Sequence, residues 1–295
     1  MRKHRTFDYD ANNQYQVFVP PGNLKAIGLS LEWTNEAGEA VTLDELGFVR
    51  LFDPSGGKVW DFRLSRMYGW VDWLLPGAQR FSSSAGAAAQ AFIYIPMDVT
   101  KAQQNIVRLG TGYTLEFQHD SLTTQALDLT ATVLLQSGLG VQRYMPIYQD
   151  FNIRSMSAET DPEPLPRKNV AYVIAQQTAN QTVFKLRKDG NILYDLTDEQ
   201  TDFVVAFEGE SKTYAARSGN TVPVVFSLYR ENLLTEVIGS DYEFGVVSSD
   251  ASVEGTTVEI RVDDVAYQTT VQVVQAVQDK KILQQPMART VLATA

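Results

Sequence analysis

The chain contains no cysteine and only two histidines, and both shortages restrict the chemistry open to it. Without cysteine there is no disulfide framework, no thiolate metal site and no cysteine nucleophile. His4 and His119 are too few for a three-histidine zinc site, and a serine triad would have to use one of them without a G-x-S-x-G elbow. A phosphate-binding P-loop is also missing. The sequence therefore offers little support for an enzyme.

Long apolar runs and an excess of basic charge are also missing. The longest apolar run, Ala87 to Pro96, is interrupted by Gln90 and is shorter than the roughly 18 residues that span a bilayer. The formal net charge of −10 argues against direct nucleic-acid binding, which needs a basic surface. MRKHRTFDYD has the basic start of a signal peptide without the apolar stretch that follows one, so we expect a protein made in the cytoplasm and not exported.

Short runs rich in valine, threonine and aromatic residues dominate what is present. The 295 residues are 44% hydrophobic and 20% charged, which suits a globular protein of about two domains. Helical patterns are scarce, although Met67, Trp70, Val71 and Leu74 have the spacing of one buried helix face. The composition predicts an all-β protein with short helices in loops.

A β-hairpin pattern occurs twice, about half a chain apart. The second copy, Val183–Leu196, reads VFKLRKDGNILYDL, with Asp189-Gly190 at the turn. The first copy, Phe48–Phe62, reads FVRLFDPSGGKVWDF, with a proline- and glycine-containing turn in the same place. A repeat of this length indicates tandem domains, whereas the alternative is that any two hairpins look alike.

The segment RSMSAETDPEPLPRK marks the predicted domain junction, because alternating prolines and charges favour an extended linker. The fold prediction is two tandem eight-stranded jelly-roll β-sandwiches. Predicted boundaries are residues 1–153 for the first jelly roll with a basic N-terminal arm, 154–168 for the linker, 169–275 for the second jelly roll and 276–295 for a C-terminal arm. Residues 82–89 and 208–220 are expected to be exposed loops.

The basic N-terminal segment is a candidate membrane contact. Arg2, Lys3 and Arg5 would meet an anionic lipid surface, and the alternative is a frayed terminus that carries leftover charge. No catalytic or cofactor-binding residue is predicted.

Two acidic groups are candidates for a metal site. Asp8 and Asp10 open a D-x-D-x-N pattern, but the glycine and glutamate that an EF-hand needs are absent. Asp263 and Asp264 are candidates for a structural Ca²⁺ between subunits, with a solvated turn as the alternative.

Four segments of the second half resemble, in this order, the second barrel of corticovirus-type major capsid proteins of tailless, membrane-containing bacteriophages: LPRKNVAY, VFKLRKDGNILYDL, VFSLYRENLLTEVIG and VEGTTVEIRVDDVAY. In the first half, PPGNLKAIGLSLEW and VTLDELGFVRLF resemble the first barrel less closely. The chain departs from the family in its length, its loop at residues 82–89 and its tail.

The resemblance implies a structural protein without cofactors, located in the virion capsid and assembled in the host cytoplasm. It implies a pseudo-hexameric homotrimer that tiles an icosahedral shell. The implied partners are neighbouring trimers, penton and minor capsid proteins, and an internal lipid membrane reached by the basic arm, with no direct contact to nucleic acid.

Two other functions compete with this reading. One is a phage spike, a minor capsid protein or a carbohydrate-binding β-sandwich, which exposed coplanar aromatic rings would favour. The other is a glycan amidase on tandem jelly rolls, in which Asp61 and Glu116 would meet in a groove that is lined by Trp60 and Trp70.

Overall fold

The computed structural model describes residues 1–9, 14–119, 129–156, 162–175, 181–197, 224–230, 232–250 and 252–262, and most of this length is strand. Side chains alternate between the two faces of each strand, so every second residue can enter the core. The strands are β1 Arg2–Tyr9, β2 Gln14–Phe18, β3 Gly22–Thr34, β4 Phe48–Phe52, β5 Lys58–Arg63, β6 Arg80–Ser82, β7 Ala88–Pro96, β8 Val107–Leu109, β9 Thr114–Gln118, β10 Leu129–Ser137, β11 Met145–Met156, β12 Glu163–Pro164, β13 Val170–Ala175, β14 Gln181–Lys188, β15 Asn191–Thr197, β16 Val224–Ser227, β17 Tyr242–Ser248 and β18 Ser252–Arg261.

The same strand order occurs in both halves of the chain. In the first half, one sheet runs β1-β10-β3-β7 and the other β2-β9-β4-β5, with β6 and β8 added to the former. In the second half, one sheet runs β11-β18-β13-β16 and the other β12-β17-β14-β15. Each set of eight strands, taken in chain order, occupies equivalent places, which confirms the predicted double jelly roll.

The repeated hairpin occupies the same place in both jelly rolls. β4 pairs with β5, and β14 pairs with β15, and in each half these are the fourth and fifth of the eight strands in chain order. Asp189 and Gly190 have φ values of 50° and 77°, the left-handed pair that a two-residue turn requires. The two sequence patterns are therefore equivalent elements of two domains.

The predicted helix is confirmed as α1, Leu64–Leu74, in the connection after β5. Met67, Trp70, Val71 and Leu74 are all buried, as their spacing indicates. A 3-10 turn, Leu43–Leu46, follows Thr42, whose amide donates to Glu45 Oε2 at 2.6 Å in a capping box. A second short helix, α2, covers Leu233–Val237. Within the described ranges, neither helix is long and apolar enough to cross a bilayer.

Both hairpin turns lie at one end of the molecule, which we name the hairpin end. β5 runs parallel to β11, and β11 runs parallel to β17. The register of β14 with both β17 and β15 then makes β15 parallel to β5. The two jelly rolls therefore stand side by side with the same orientation, and their buried residues form one continuous core.

The region of the predicted domain boundary is strand on both sides. β11 runs through residues 153 and 154, and its register with β18 extends from Met145 to Arg154. Glu163 and Pro164 of the predicted linker pair with the edge of β17. The division into four segments stays a prediction, and the predicted C-terminal arm, residues 276–295, lies outside the described residues. Of the predicted loops, residues 83–87 connect β6 to β7, and residues 208–220 are not described.

Candidate functional site

The inter-half junction, where β5 and α1 of the first jelly roll meet β11, β13 and β18, is built from side chains of both halves. Trp60 lies beside Tyr148 in the parallel register of β5 with β11. Trp60 Nε1 donates to the Pro146 carbonyl at 2.9 Å, and Gln149 Nε2 donates to the Val59 carbonyl at 3.3 Å. These contacts join a sheet of one half to a sheet of the other.

A chain of aromatic rings continues through the junction. The ring centroids of Trp60 and Tyr148 are 5.4 Å apart, and those of Tyr148 and Trp70 are 5.6 Å apart. Trp70 and Tyr172 follow at 5.6 Å, then Tyr172 and Tyr229 at 5.5 Å. Such tilted and edge-on pairs contribute beyond the burial of their area. Burial raises the pKa of Tyr148 and Tyr172 well above the ordinary value, so both phenols are neutral.

A buried arginine adds a polar contact to the same junction. Arg66 of α1 binds the Asp150 carboxylate, and its guanidinium donates at 2.8 Å to Thr256 Oγ1 and at 2.8 Å to Glu254 Oε2. Burial raises the pKa of Asp150, although Arg66 opposes this effect. Burial acts in the same sense on Glu254, but the hydrogen bond and charge of Arg66 and the charge of Arg63 outweigh it and lower the pKa.

β15 and β1, which correspond to β5 and β11 in the other half, are both edge strands among the described residues. β15 corresponds to β5 and has no strand on its outer side among the described residues, and the same is true of β1, which corresponds to β11. Ile192 and Leu193 of β15 are 62% and 39% exposed, and Asp195 is exposed. The chain thus has one closed contact of this type and two open edges that could form another.

The N-terminal segment does not extend as an arm. Arg2, Lys3 and Arg5 belong to β1 and pair with Leu135, Leu134 and Val133 of β10. All three side chains are exposed, because β1 is an edge strand. The sequence predicts an arm here because the charges interrupt the apolar alternation by which a strand is normally recognised.

The four candidate metal ligands are not brought together by any described contact. The backbone of Asp8 lies in β1 opposite Thr130, whereas its side chain lies outside the described residues, as do Asp10, Asp263 and Asp264. In the part of the chain that the structure describes, no three carboxylates or imidazoles form a group that could hold a metal ion.

The residues proposed for an amidase do not form a groove. Asp61 and Glu116 both bind Arg50, at 3.0 Å and 2.8 Å, so their charges are neutralised within one sheet. Trp60 and Trp70 are fully buried in the inter-half junction. The expectation of a catalytic cleft lined by these four residues is wrong, because the tryptophans join the two jelly rolls.

All large hydrophobic side chains that the described residues expose belong to the hairpin end. Met1 precedes β1, Phe18 ends β2, Leu139 and Val141 follow β10, and Ile192 and Leu193 are the second and third residues of β15. The strand registers place each of these termini at the end that holds both hairpin turns. Exposed apolar side chains grouped at one end make that end a candidate interaction surface.

No family model matches the chain, and no curated protein matches it in sequence. Its fold is similar to that of the major capsid protein P2 from bacteriophage PM2, with a TM-score of 0.59, 15% identity, and coverage of 89% of this chain and 95% of that one. It is also similar to the major capsid protein of Sulfolobus Turreted Icosahedral Virus, with a TM-score of 0.62, 9% identity, and coverage of 89% and 96%. At these identities the likeness is one of fold.

Proposed function

We propose that this chain is a structural major capsid protein, not an enzyme, that forms pseudo-hexameric trimers in the shell of an icosahedral virus with an internal membrane. The observation that carries the proposal is the pair of jelly rolls with equal strand order and equal orientation. Three such chains present six similar sides, which suits a hexagonal lattice with neighbouring trimers. The fold similarity to two viral capsid proteins supports the same conclusion.

The trimer contact would copy the inter-half junction. Within the chain, β5 of one jelly roll lies along β11 of the other. In the trimer, β15 of one copy would lie along β1 of the next, and the head-to-tail contact would close after three copies. Asp195 on β15 and Arg2 and Arg5 on β1 are exposed and opposite in charge.

The solution mass of the full chain tests this contact. Light scattering after size exclusion should give a mass near three times 32.9 kDa. The substitution Ile192→Lys should shift the mass to that of the monomer, while Leu139→Lys, at a side chain that is 92% exposed outside both edges, should not. A wild-type monomer at high concentration, or equal behaviour of the two variants, would contradict the proposal.

The internal membrane would face the hairpin end. Arg2 and Lys3 stand at the start of β1 beside Met1, and Phe18 adds exposed apolar surface there. Basic residues at an anionic surface contribute about 1 kcal/mol each. Replacing Arg2, Lys3 and Arg5 with alanine should weaken binding to anionic vesicles and reduce its salt dependence, as measured by co-flotation. Unchanged binding would contradict a role for this segment.

The remaining proposed partners are the other proteins of an icosahedral shell. Penton and minor capsid proteins would contact the trimers, and assembly would take place in the host cytoplasm before the subunit resides in the virion. Asp8, Asp10, Asp263 and Asp264 remain the candidates for a structural Ca²⁺ between subunits. A chelator that leaves the trimer mass unchanged would argue against that ion.

A further inference from the structure

A cleft of about 870 Å³ opens between the two jelly rolls at the hairpin end. One wall is the connection that follows β7, and the other is the connection that follows β16. Trp73 and Tyr172 of the aromatic chain lie at the cleft, next to Tyr144. Cavities of this size hold organic ligands, not single inorganic ions.

Three cations from three separate segments line the cleft: Lys101, Arg143 and Arg230. All three are exposed, and Lys101 Nζ lies 5.7 Å from the centre of the Trp73 ring. Neither arginine forms an ion pair with a carboxylate among the described residues. Guanidinium groups bind phosphate oxygens through two parallel hydrogen bonds, so this set favours an anionic ligand such as a phosphate over a neutral one.

Among the described residues that line the cleft, the one carboxylate, Asp98, is occupied by internal donors. Asp98 Oδ1 accepts from the Thr100 amide at 2.8 Å and from the Tyr144 hydroxyl at 2.5 Å. Asp98 Oδ2 accepts from the amides of Gln104 and Asn105 at 2.6 Å and 2.7 Å. These bonds hold the first wall in one shape and occupy the Asp98 carboxylate within the protein.

The second wall is fixed against the first. The Tyr172 hydroxyl donates to the Val99 carbonyl at 2.9 Å, and the Tyr229 hydroxyl approaches the same carbonyl at 3.3 Å. Asn105 Oδ1 accepts from the Arg143 amide at 2.7 Å, which positions the backbone of that arginine. A ligand would therefore enter a largely preformed site with little ordering cost.

Exposed apolar side chains lie on the segment that leads into the cleft. Leu139 and Val141, which are 92% and 68% exposed, precede Arg143 in the chain. The Ile106 amide donates to the Val141 carbonyl at 3.4 Å, which holds this segment against the connection that follows β7. Cations in the cleft and apolar side chains on the adjoining segment match an amphiphile with a phosphate at its polar end.

We infer that this cleft binds a phosphate-bearing ligand, with Arg143 and Arg230 holding the phosphate and the aromatic rings contacting the organic group. The headgroup of an anionic phospholipid and a free phosphoester share this chemistry. The preference for the lipid rests on the proposed membrane-facing role of the hairpin end, whereas the phosphate site rests on the cleft alone.

The test compares the full chain with a double variant, Arg143→Gln and Arg230→Gln, and with Arg108→Gln. Arg108 is an exposed arginine of β8 near the same end and does not line the cleft, so it controls for the loss of positive charge. One arm measures co-flotation with vesicles of phosphatidylcholine and phosphatidylglycerol at a ratio of about 3:1. The other arm measures binding of glycerol 3-phosphate by calorimetry.

We expect the double variant to bind at least roughly tenfold more weakly in one or both arms, and Arg108→Gln to lose less than about threefold. Loss in the vesicle arm identifies a lipid headgroup, and loss in the calorimetric arm alone identifies a free phosphoester. The inference is overturned if wild type binds neither probe or if the two variants weaken equally. Light scattering on the same samples reports assembly separately, so failure of the cleft and failure of the capsid proposal are distinguishable.

Discussion

The closed inter-half junction and the open edges differ in side chains although their strands hold equivalent positions. β5 presents Trp60 and Phe62 to the interior, whereas β15, its counterpart, begins with the exposed Ile192 and Leu193. β11 buries Tyr148, while residues 2–6 of β1 are exposed. A contact that forms once, within the chain, can be aromatic and dry. Edges that remain accessible in the isolated chain carry smaller apolar groups and charges, which limits premature association.

The largest effect should come from the aromatic side chain at the junction. Trp60→Ala should cost about 3–5 kcal/mol of unfolding free energy, because it opens a cavity between both halves. A substitution on the corresponding edge strand, Ile192→Ala in β15, should stay within about 0.5 kcal/mol. Denaturant unfolding measures both. If the wild type already unfolds in two separate transitions and the tryptophan variant shifts only one of them, the junction does not couple the two jelly rolls.

The second prediction compares two basic residues. Arg66→Met should cost about 3 kcal/mol, because it leaves the partly buried Asp150 without its main partner. Lys58→Met should cost less than about 1 kcal/mol, since its side chain is 48% exposed compared with 5% for Arg66, and its partner Asp61 still binds Arg50. Thermal unfolding of both variants at one pH checks the order. Equal losses of unfolding free energy would show that the buried arginine at the junction stabilises the fold no more than an exposed ion pair does.

The two hairpin turns should respond equally. Gly56 and Gly190 have φ values of 84° and 77°, and an added Cβ would meet no atom within 4 Å at either position. Alanine there costs only backbone strain, about 1 kcal/mol in each case. Gly110, where φ is not in the left-handed region and the space is also open, is the control and should be nearly neutral. Unequal losses at the two turns would argue against their equivalence.

The smallest effect concerns pH. Burial raises the pKa of Tyr229 to about 12, although the hydrogen bond with Tyr172 opposes this. A pKa raised on folding means that the stability from the neutral phenol is complete below about pH 10 and is lost as the pH rises towards 12. Tyr229→Phe should therefore reduce the alkaline loss of stability. The readout is the melting temperature between these pH values, and parallel curves for both proteins would contradict the assignment.

Local signals in the sequence predicted the elements but not the contacts between halves. The hairpin at Asp189-Gly190 and the helix with Trp70 follow from spacing and turn chemistry over a few residues. The parallel contact of Trp60 with Tyr148 joins strands far apart in the chain, and no short pattern encodes it. The sequence therefore allowed Trp60 to be assigned to a cleft, whereas the structure buries it.

Two further features could not be predicted from the sequence because charged residues interrupt the apolar pattern. Arg66 precedes the apolar face of α1, and its burial depends on Asp150 and Glu254, which lie in strands of the other half. Arg2 and Lys3 hide an edge strand, because an edge exposed to water needs no apolar alternation. Neither feature could be found without the partner strands, since the stabilising groups are distant in sequence.

The exposed large apolar side chains lie at the hairpin end, so the two ends of the molecule differ in chemistry. Because both jelly rolls have the same orientation, the exposed apolar side chains of both halves lie at the same end. In an antiparallel arrangement they would lie at opposite ends. A layer of such molecules in which all neighbours stand upright has chemically different top and bottom faces. Turning one molecule upside down would place its apolar groups in water on the wrong face. In such a layer, the parallel placement of β5 and β11 would therefore require every copy to have the same orientation.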